Sequence, residues 1–133
     1  MVLEQLLHNV YFPTCRPAIW ALGTNLPEVG WPACGEIDMM EQLFENHLMV
    51  QSAVHVAGRY GDYPALKQLS VSDVTENFHV YGMIWTEDKI DFTVDGEVFF
   101  TYQPTSGKLV PKAQIAGQVP CILGNLALTS TLP

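Results

Sequence analysis

Apolar and polar positions alternate with a period of two along much of this chain, and that period predicts strands rather than helices. Phe78 to Trp85 reads as one strand, with His79, Tyr81, Met83 and Trp85 sharing a face. Ile90-Asp91-Phe92-Thr93-Val94 and Glu97-Val98-Phe99-Phe100-Thr101-Tyr102 flank Asp95-Gly96, a turn pair that joins antiparallel strands tightly. Leu48 to Val56 predicts a further strand, entered through a turn over residues 44–47. Val10-Tyr11-Phe12 predicts a brief strand stopped by Pro13. Glycine and proline mark Gly23 to Pro32 and Ala57 to Asp73 as loops. Residues 1–9 instead suit a short amphipathic helix, with Val2, Leu3, Leu6 and Leu7 on one side.

One strand breaks the usual division between apolar core and polar surface. Gly35-Glu36-Ile37-Asp38-Met39-Met40-Glu41 carries three carboxylates within six residues. In a regular strand Glu36 and Asp38 share a face and Glu41 points the other way. One extra residue around Met39-Met40, taken up as a β-bulge, returns Glu41 to the acidic face. Glu36 and Glu41 then stand roughly 13 Å apart at Cα, at about 3.3 Å per step. Side chains leaning inward close that span to the roughly 5–5.5 Å that separates the carboxylates of retaining glycosidases. Antiparallel pairing with the next strand brings His55 near these glutamates, although a bulge reverses parity and leaves its face open.

Composition narrows the chemistry. A chain of 133 residues with 48% apolar content suits one packed domain. Six basic against fourteen acidic side chains give a formal charge of −8. That balance argues against nucleic acid as a partner and fits a neutral glycan better than an anionic one. No apolar run reaches the ~20 residues of a membrane span, and no signal peptide is visible at the start. Cys15, Cys34 and Cys121 lack metal-like spacing, and Cys34 beside the acidic strand reads as a small buried thiol.

Trp31-Pro32-Ala33-Cys34-Gly35-Glu36-Ile37-Asp38-Met39-Met40-Glu41 resembles the catalytic strand of glycoside hydrolase family 16, in its laminarinase-type, bulged-strand branch. The resemblance runs with gaps from about Pro17 to about Tyr102. Pro17-Ala18-Ile19-Trp20-Ala21-Leu22-Gly23 precedes the motif as the cleft-forming segment of the family does. Phe78-His79-Val80-Tyr81, Trp85 and Val94-Asp95-Gly96 follow at family-like spacing. Arg16 departs from the pattern, standing where the family usually carries a tryptophan. Beyond Pro104 the match fades to a vague likeness over Ile122–Leu128.

The resemblance implies an all-β fold, an antiparallel β-sandwich (concanavalin-like jelly roll), here incomplete. Residues 1–133 form a single, partial catalytic domain in this reading. It implies a retaining, endo-acting hydrolase of internal β-1,3 bonds in β-glucans such as laminarin. Glu36 takes the position of the nucleophile, Asp38 that of the supporting aspartate and Glu41 that of the acid/base. Asn25, Trp20, Trp31 and His55 are candidate substrate contacts; core packing is the competing role for both tryptophans, and a structural role for His55. No cofactor and no metal site is implied. An extracellular setting is expected from the family, and uncovered sheet edges admit homo-oligomerisation. Two other readings stay open: a family enzyme for mixed-linkage glucan or a galactan, and a β-glucan-binding module or inactive fragment without turnover.

Overall fold

The computed structural model describes residues 2–7, 16–43, 45–61, 63–104 and 129–131. Its strands are β1 (Val2–Leu7), β2 (Ala18–Leu22), β3 (Glu36–Gln42), β4 (Met49–His55), β5 (Ala65–Ser70), β6 (His79–Trp85), β7 (Ile90–Val94), β8 (Glu97–Tyr102) and β9 (Thr129–Thr131). A single helical turn, α1 (Leu26–Val29), precedes β3. The strands form two antiparallel sheets, ordered β8-β7-β6-β1-β9 and β2-β3-β4-β5. The expected sandwich is therefore observed. Residues 10–12 and 122–128, read above as a strand and a late family segment, lie outside the described residues.

The inner faces of the two sheets form one core. Ile37, Met40, Val50 and Val54 supply it from one sheet, and Tyr81, Met83, Ile90 and Phe92 from the other. The predicted face of β6 holds, with His79, Tyr81, Met83 and Trp85 all buried. The predicted hairpin also forms. Asp95 and Gly96 both take positive φ, 52° and 85°, the backbone twist that closes a two-residue turn between antiparallel strands.

Two segments differ from the sequence reading. Residues 2–7 are strand, not helix: Leu3 and Gln5 are buried while Val2, Glu4 and Leu6 face outward. Apolar residues at positions 2, 3, 6 and 7 satisfy either period, and antiparallel pairing with β6 and β9 decides the outcome. The loop expected over residues 57–73 contains β5, which pairs with β4 from Val54↔Ala65 to Met49↔Ser70. β5 ends its sheet and buries only Ala65 fully, so its polar composition disguised a strand that needs one partner alone. The Gly23–Pro32 loop is as expected apart from the turn α1.

Candidate active site

The acidic strand β3 lies between β2 and β4 and carries the bulge anticipated from its sequence. Against β4 the register runs Glu36↔His55, Ile37↔Val54 and Asp38↔Ala53, then resumes at Glu41↔Gln51, so Met39 and Met40 together oppose Ser52. Against β2 the pairs are Leu22↔Glu36, Trp20↔Asp38 and Ala18↔Glu41. The partners of the three acids are thus residues 55, 53 and 51 on one side and 22, 20 and 18 on the other. Alternate residues share a face, so both neighbours place Glu36, Asp38 and Glu41 on the same face, away from the core. Ser52, fully buried, donates its hydroxyl to the Met39 carbonyl at 2.6 Å and satisfies a group that the bulge removes from the ladder.

The loop before β3 is fixed to the strand by close backbone packing. Gly23 N–H donates to Gly35 O at 3.0 Å. A Cβ at Gly23 would lie 1.9 Å from the Cys34 carbonyl oxygen, so only glycine allows this approach. Backbone bonds from Cys34 N–H to Gly30 O and from Gly35 N–H to Pro32 O tie the loop to itself. Trp31 is thereby held over the acids, and its indole N–H donates to Glu36 Oε2 at 2.5 Å. The indole also lies 5.8 Å from the His55 ring and meets Tyr60 edge-on at 5.4 Å. Trp31 and Tyr60 stay half exposed beside Glu36.

Asp38 sits deepest, 3% exposed. Burial pushes its carboxyl up to about 8, and the charges of Glu41 and Glu36 and a hydrogen bond with Glu36 push the same way, against Arg16. At neutral pH Asp38 therefore carries a proton that it can donate to Glu36. Its Oδ2 lies 3.2 Å from His55 Nε2. Glu36, Asp38 and His55 offer ligand atoms within 4.8 Å of one another, enough to hold a cation in principle. A ligating Asp38 would have to surrender the proton that burial favours, so the cluster suits proton sharing better than coordination.

Glu41 is held differently. One oxygen accepts from Arg16 Nη2 at 2.7 Å, the other from Gln51 Nε2 at 2.8 Å. Gln51 Oε1 in turn accepts from Gln68 at 3.3 Å. Gln42 N–H donates to Pro17 O, which fixes the segment carrying Arg16 beside Glu41.

The structure thus brings together Glu36, Asp38, Glu41, Trp31 and His55, and it sets Trp20, half-buried, opposite Asp38 on the same face. Asn25 instead lies exposed at the start of α1, where its carbonyl accepts from Glu28 and Val29 N–H. Arg16, Gln51 and Gln68 were not among the candidate residues. Counting along β4 through a bulge of known position would have found Gln51; nothing local signals the other two.

Comparison with known proteins shows the family and the fold. The model of the family "Glycosyl hydrolases family 16" matches residues 16–121. Over 95 residues the chain is 34% identical to a keratan-sulfate endo-1,4-beta-galactosidase of Sphingobacterium multivorum, covering 68% of this chain and 22% of that protein. Over 91 residues it is 32% identical to glucan endo-1,3-beta-glucosidase A1 of Niallia circulans, covering 63% and 13%. The laminarinase structure from Flavobacterium sp. UMI-01 superposes with a TM-score of 0.75 at 34% identity, over 79% of this chain and 46% of that one. The chain therefore spans less than half the length of each of these relatives. With the family model matching residues 16–121, most of this chain, and the acidic strand inside that match, the chain belongs to glycosyl hydrolases family 16.

Proposed function

We propose that this chain carries the catalytic face of a retaining endo-β-1,3-glucanase acting on glucans such as laminarin. The observation that carries the proposal is the bulge in β3, which sets three carboxylates on one face in two different environments. Glu36 lies against two donors, the Trp31 indole and the protonated Asp38, and these orient its carboxylate without supplying it a covalent partner. In the first step Glu36 attacks the anomeric carbon and the glycosidic C–O bond breaks, with Glu41 protonating the leaving oxygen. In the second step Glu41 takes a proton from water, the water oxygen bonds to the anomeric carbon, and Glu36 is released as a carboxylate. Asp38 acts as a hydrogen-bond donor in this scheme, rather than as a charge that holds protons on its neighbours. The exposed rings of Trp31 and Tyr60 offer apolar faces to the C–H side of a pyranose.

Residues 1–133 act in this reading as one partial catalytic domain, working outside the cell where its polymeric substrate is found. Among the described residues β2, β5 and β8 stand at sheet ends, the positions from which a second copy would pair. Likeness to a galactosidase at 34% identity favours a galactan as the second substrate class. Release of reducing ends from laminarin, with retention of configuration by NMR and loss in Glu36→Gln, tests the proposal. Glucan binding without release would make the chain a binding module. Release from a galactan alone would move the specificity.

A further inference from the structure

Both oxygens of Glu41 face groups that can only donate. Arg16 offers a guanidinium N–H at 2.7 Å, and Gln51 offers its amide N–H at 2.8 Å because the amide oxygen is already engaged by Gln68. A guanidinium has no lone pair for a proton on Glu41, and neither does an amide nitrogen. Both oxygens are thus engaged as acceptors, the arrangement that suits a carboxylate, whereas bond cleavage in the proposed mechanism needs a carboxylic acid whose hydroxyl reaches the leaving oxygen. The other ionisable groups at the site are Glu36 and Asp38 on the same strand, Asp38 holding its own proton, and His55 of β4, which lies against Asp38. The two donors also differ in freedom: Gln51 is buried, while the Arg16 side chain is 49% exposed.

We propose that Arg16 is a positioning residue that holds Glu41 as a carboxylate and so makes this site select substrates by their leaving group. The inference rests on the roles given to Glu36 and Glu41 above. When Glu36 attacks, the electron pair of the breaking C–O bond passes to the leaving oxygen. A nitrophenolate carries that pair unaided; a sugar alkoxide must take a proton, which Glu41 can supply only after Arg16 swings into solvent and Glu41 protonates. In the second step the same ion pair is favourable, because Glu41 then acts as the base towards water. Arg16 thus slows cleavage of natural glycosidic bonds and supports turnover of the glycosyl-enzyme.

The test compares the native chain, Arg16→Met and Arg16→Lys on dinitrophenyl β-laminaribioside and on an unactivated laminari-oligosaccharide. Arg16→Met should raise the ratio of oligosaccharide to aryl-glycoside turnover at least about tenfold, part of the ~100- to 10,000-fold that a positioned acid contributes. Arg16→Lys, which keeps the charge, should stay near the native ratio. A fall on both substrates in equal proportion would make Arg16 a sugar contact and overturn the proposal. A second readout needs no turnover: the Arg16 guanidinium resonances, followed by nitrogen NMR at one pH, should move on Glu41→Gln and stay in place on Glu36→Gln. No movement on Glu41→Gln overturns the clamp whatever the activity. A native chain inert on the aryl glycoside, with the Arg16 resonances still responding to Glu41→Gln, refutes the catalytic reading and leaves the clamp standing.

Discussion

Asp38→Asn should stabilise the protein, and by more as the pH rises. The Asp38 carboxyl is pushed from 3.8 to about 8, chiefly by burial. Between those values the folded chain keeps a proton that the unfolded chain has released, so stability falls as pH rises through this window. Below it both states are protonated and Asp38 costs nothing; above it both are ionised and the whole penalty is present. Each unit is worth about 1.4 kcal/mol, so the cost reaches about 4 kcal/mol at pH 7, a large share of the ~5–15 kcal/mol that holds a domain folded. Asparagine has the shape of the protonated acid, can still donate to Glu36 and does not titrate. Urea unfolding followed by tryptophan fluorescence at two pH values isolates the effect. From pH 5 to pH 7 the native chain should lose about 3 kcal/mol more than Asp38→Asn, which at an m-value of ~1.5 kcal/mol/M separates the midpoint shifts by about 2 M. His79 titrates in both chains and cancels from the comparison. Equal losses in the two chains would refute the claim that Asp38 is held protonated.

Three further outcomes follow from the same geometry. With an activated aryl glycoside and azide, Glu41→Gln should regain turnover and give the β-glycosyl azide, whereas Glu36→Gly should give the α-anomer; one anomer from both would overturn the division of roles. Ser52→Ala strands the Met39 carbonyl at the bulge and should cost about 1–3 kcal/mol in denaturant unfolding, with turnover reduced as Glu41 loses its register. Burial alone would lower the His79 imidazole, but its hydrogen bond to Asp95 at 2.7 Å and the charges of Asp95 and Asp73 raise it. The stabilisation it brings is full below about pH 6.5 and is lost as pH rises through the higher folded value; Asp95→Asn, at a half-exposed site, should remove about 1 kcal/mol of it at pH 6 and nothing at pH 9.

The elements legible in the sequence were those whose burial is one-sided. In β6 and the β7–β8 hairpin each inward residue is apolar or paired, so period and turn chemistry point to one answer. β1 and β5 were misread for opposite reasons. The apolar positions of β1 fit two periods, and β5 has too little buried surface to show any. The three acids could be placed on one face only by postulating a bulge, because two adjacent methionines in an alternating strand leave the parity undetermined. The Arg16–Glu41 pair was not legible at all. It joins residues 25 apart through sheet pairing, and an arginine before a strand ordinarily reads as solvated surface.

The extra residue in β3 also sets which changes of length the gene can accept there. Delete Met39 and the strand regains perfect alternation, with Met40 alone facing Ser52 and Glu41 still opposite Gln51 on the acidic face. Delete Met40 as well and Glu41 takes the place opposite Ser52, entering the layer of Ile19 and Val50 as an acid among hydrocarbon, while Gln42 surfaces in its stead. A loss of two codons would thus keep all three acids in the sequence while removing the third from the cleft. Losing one codon would keep both the face and the register. The spacing of the acids is therefore a property of reading length as much as of residue identity, and a motif search that tolerates gaps within β3 would group chains whose faces differ.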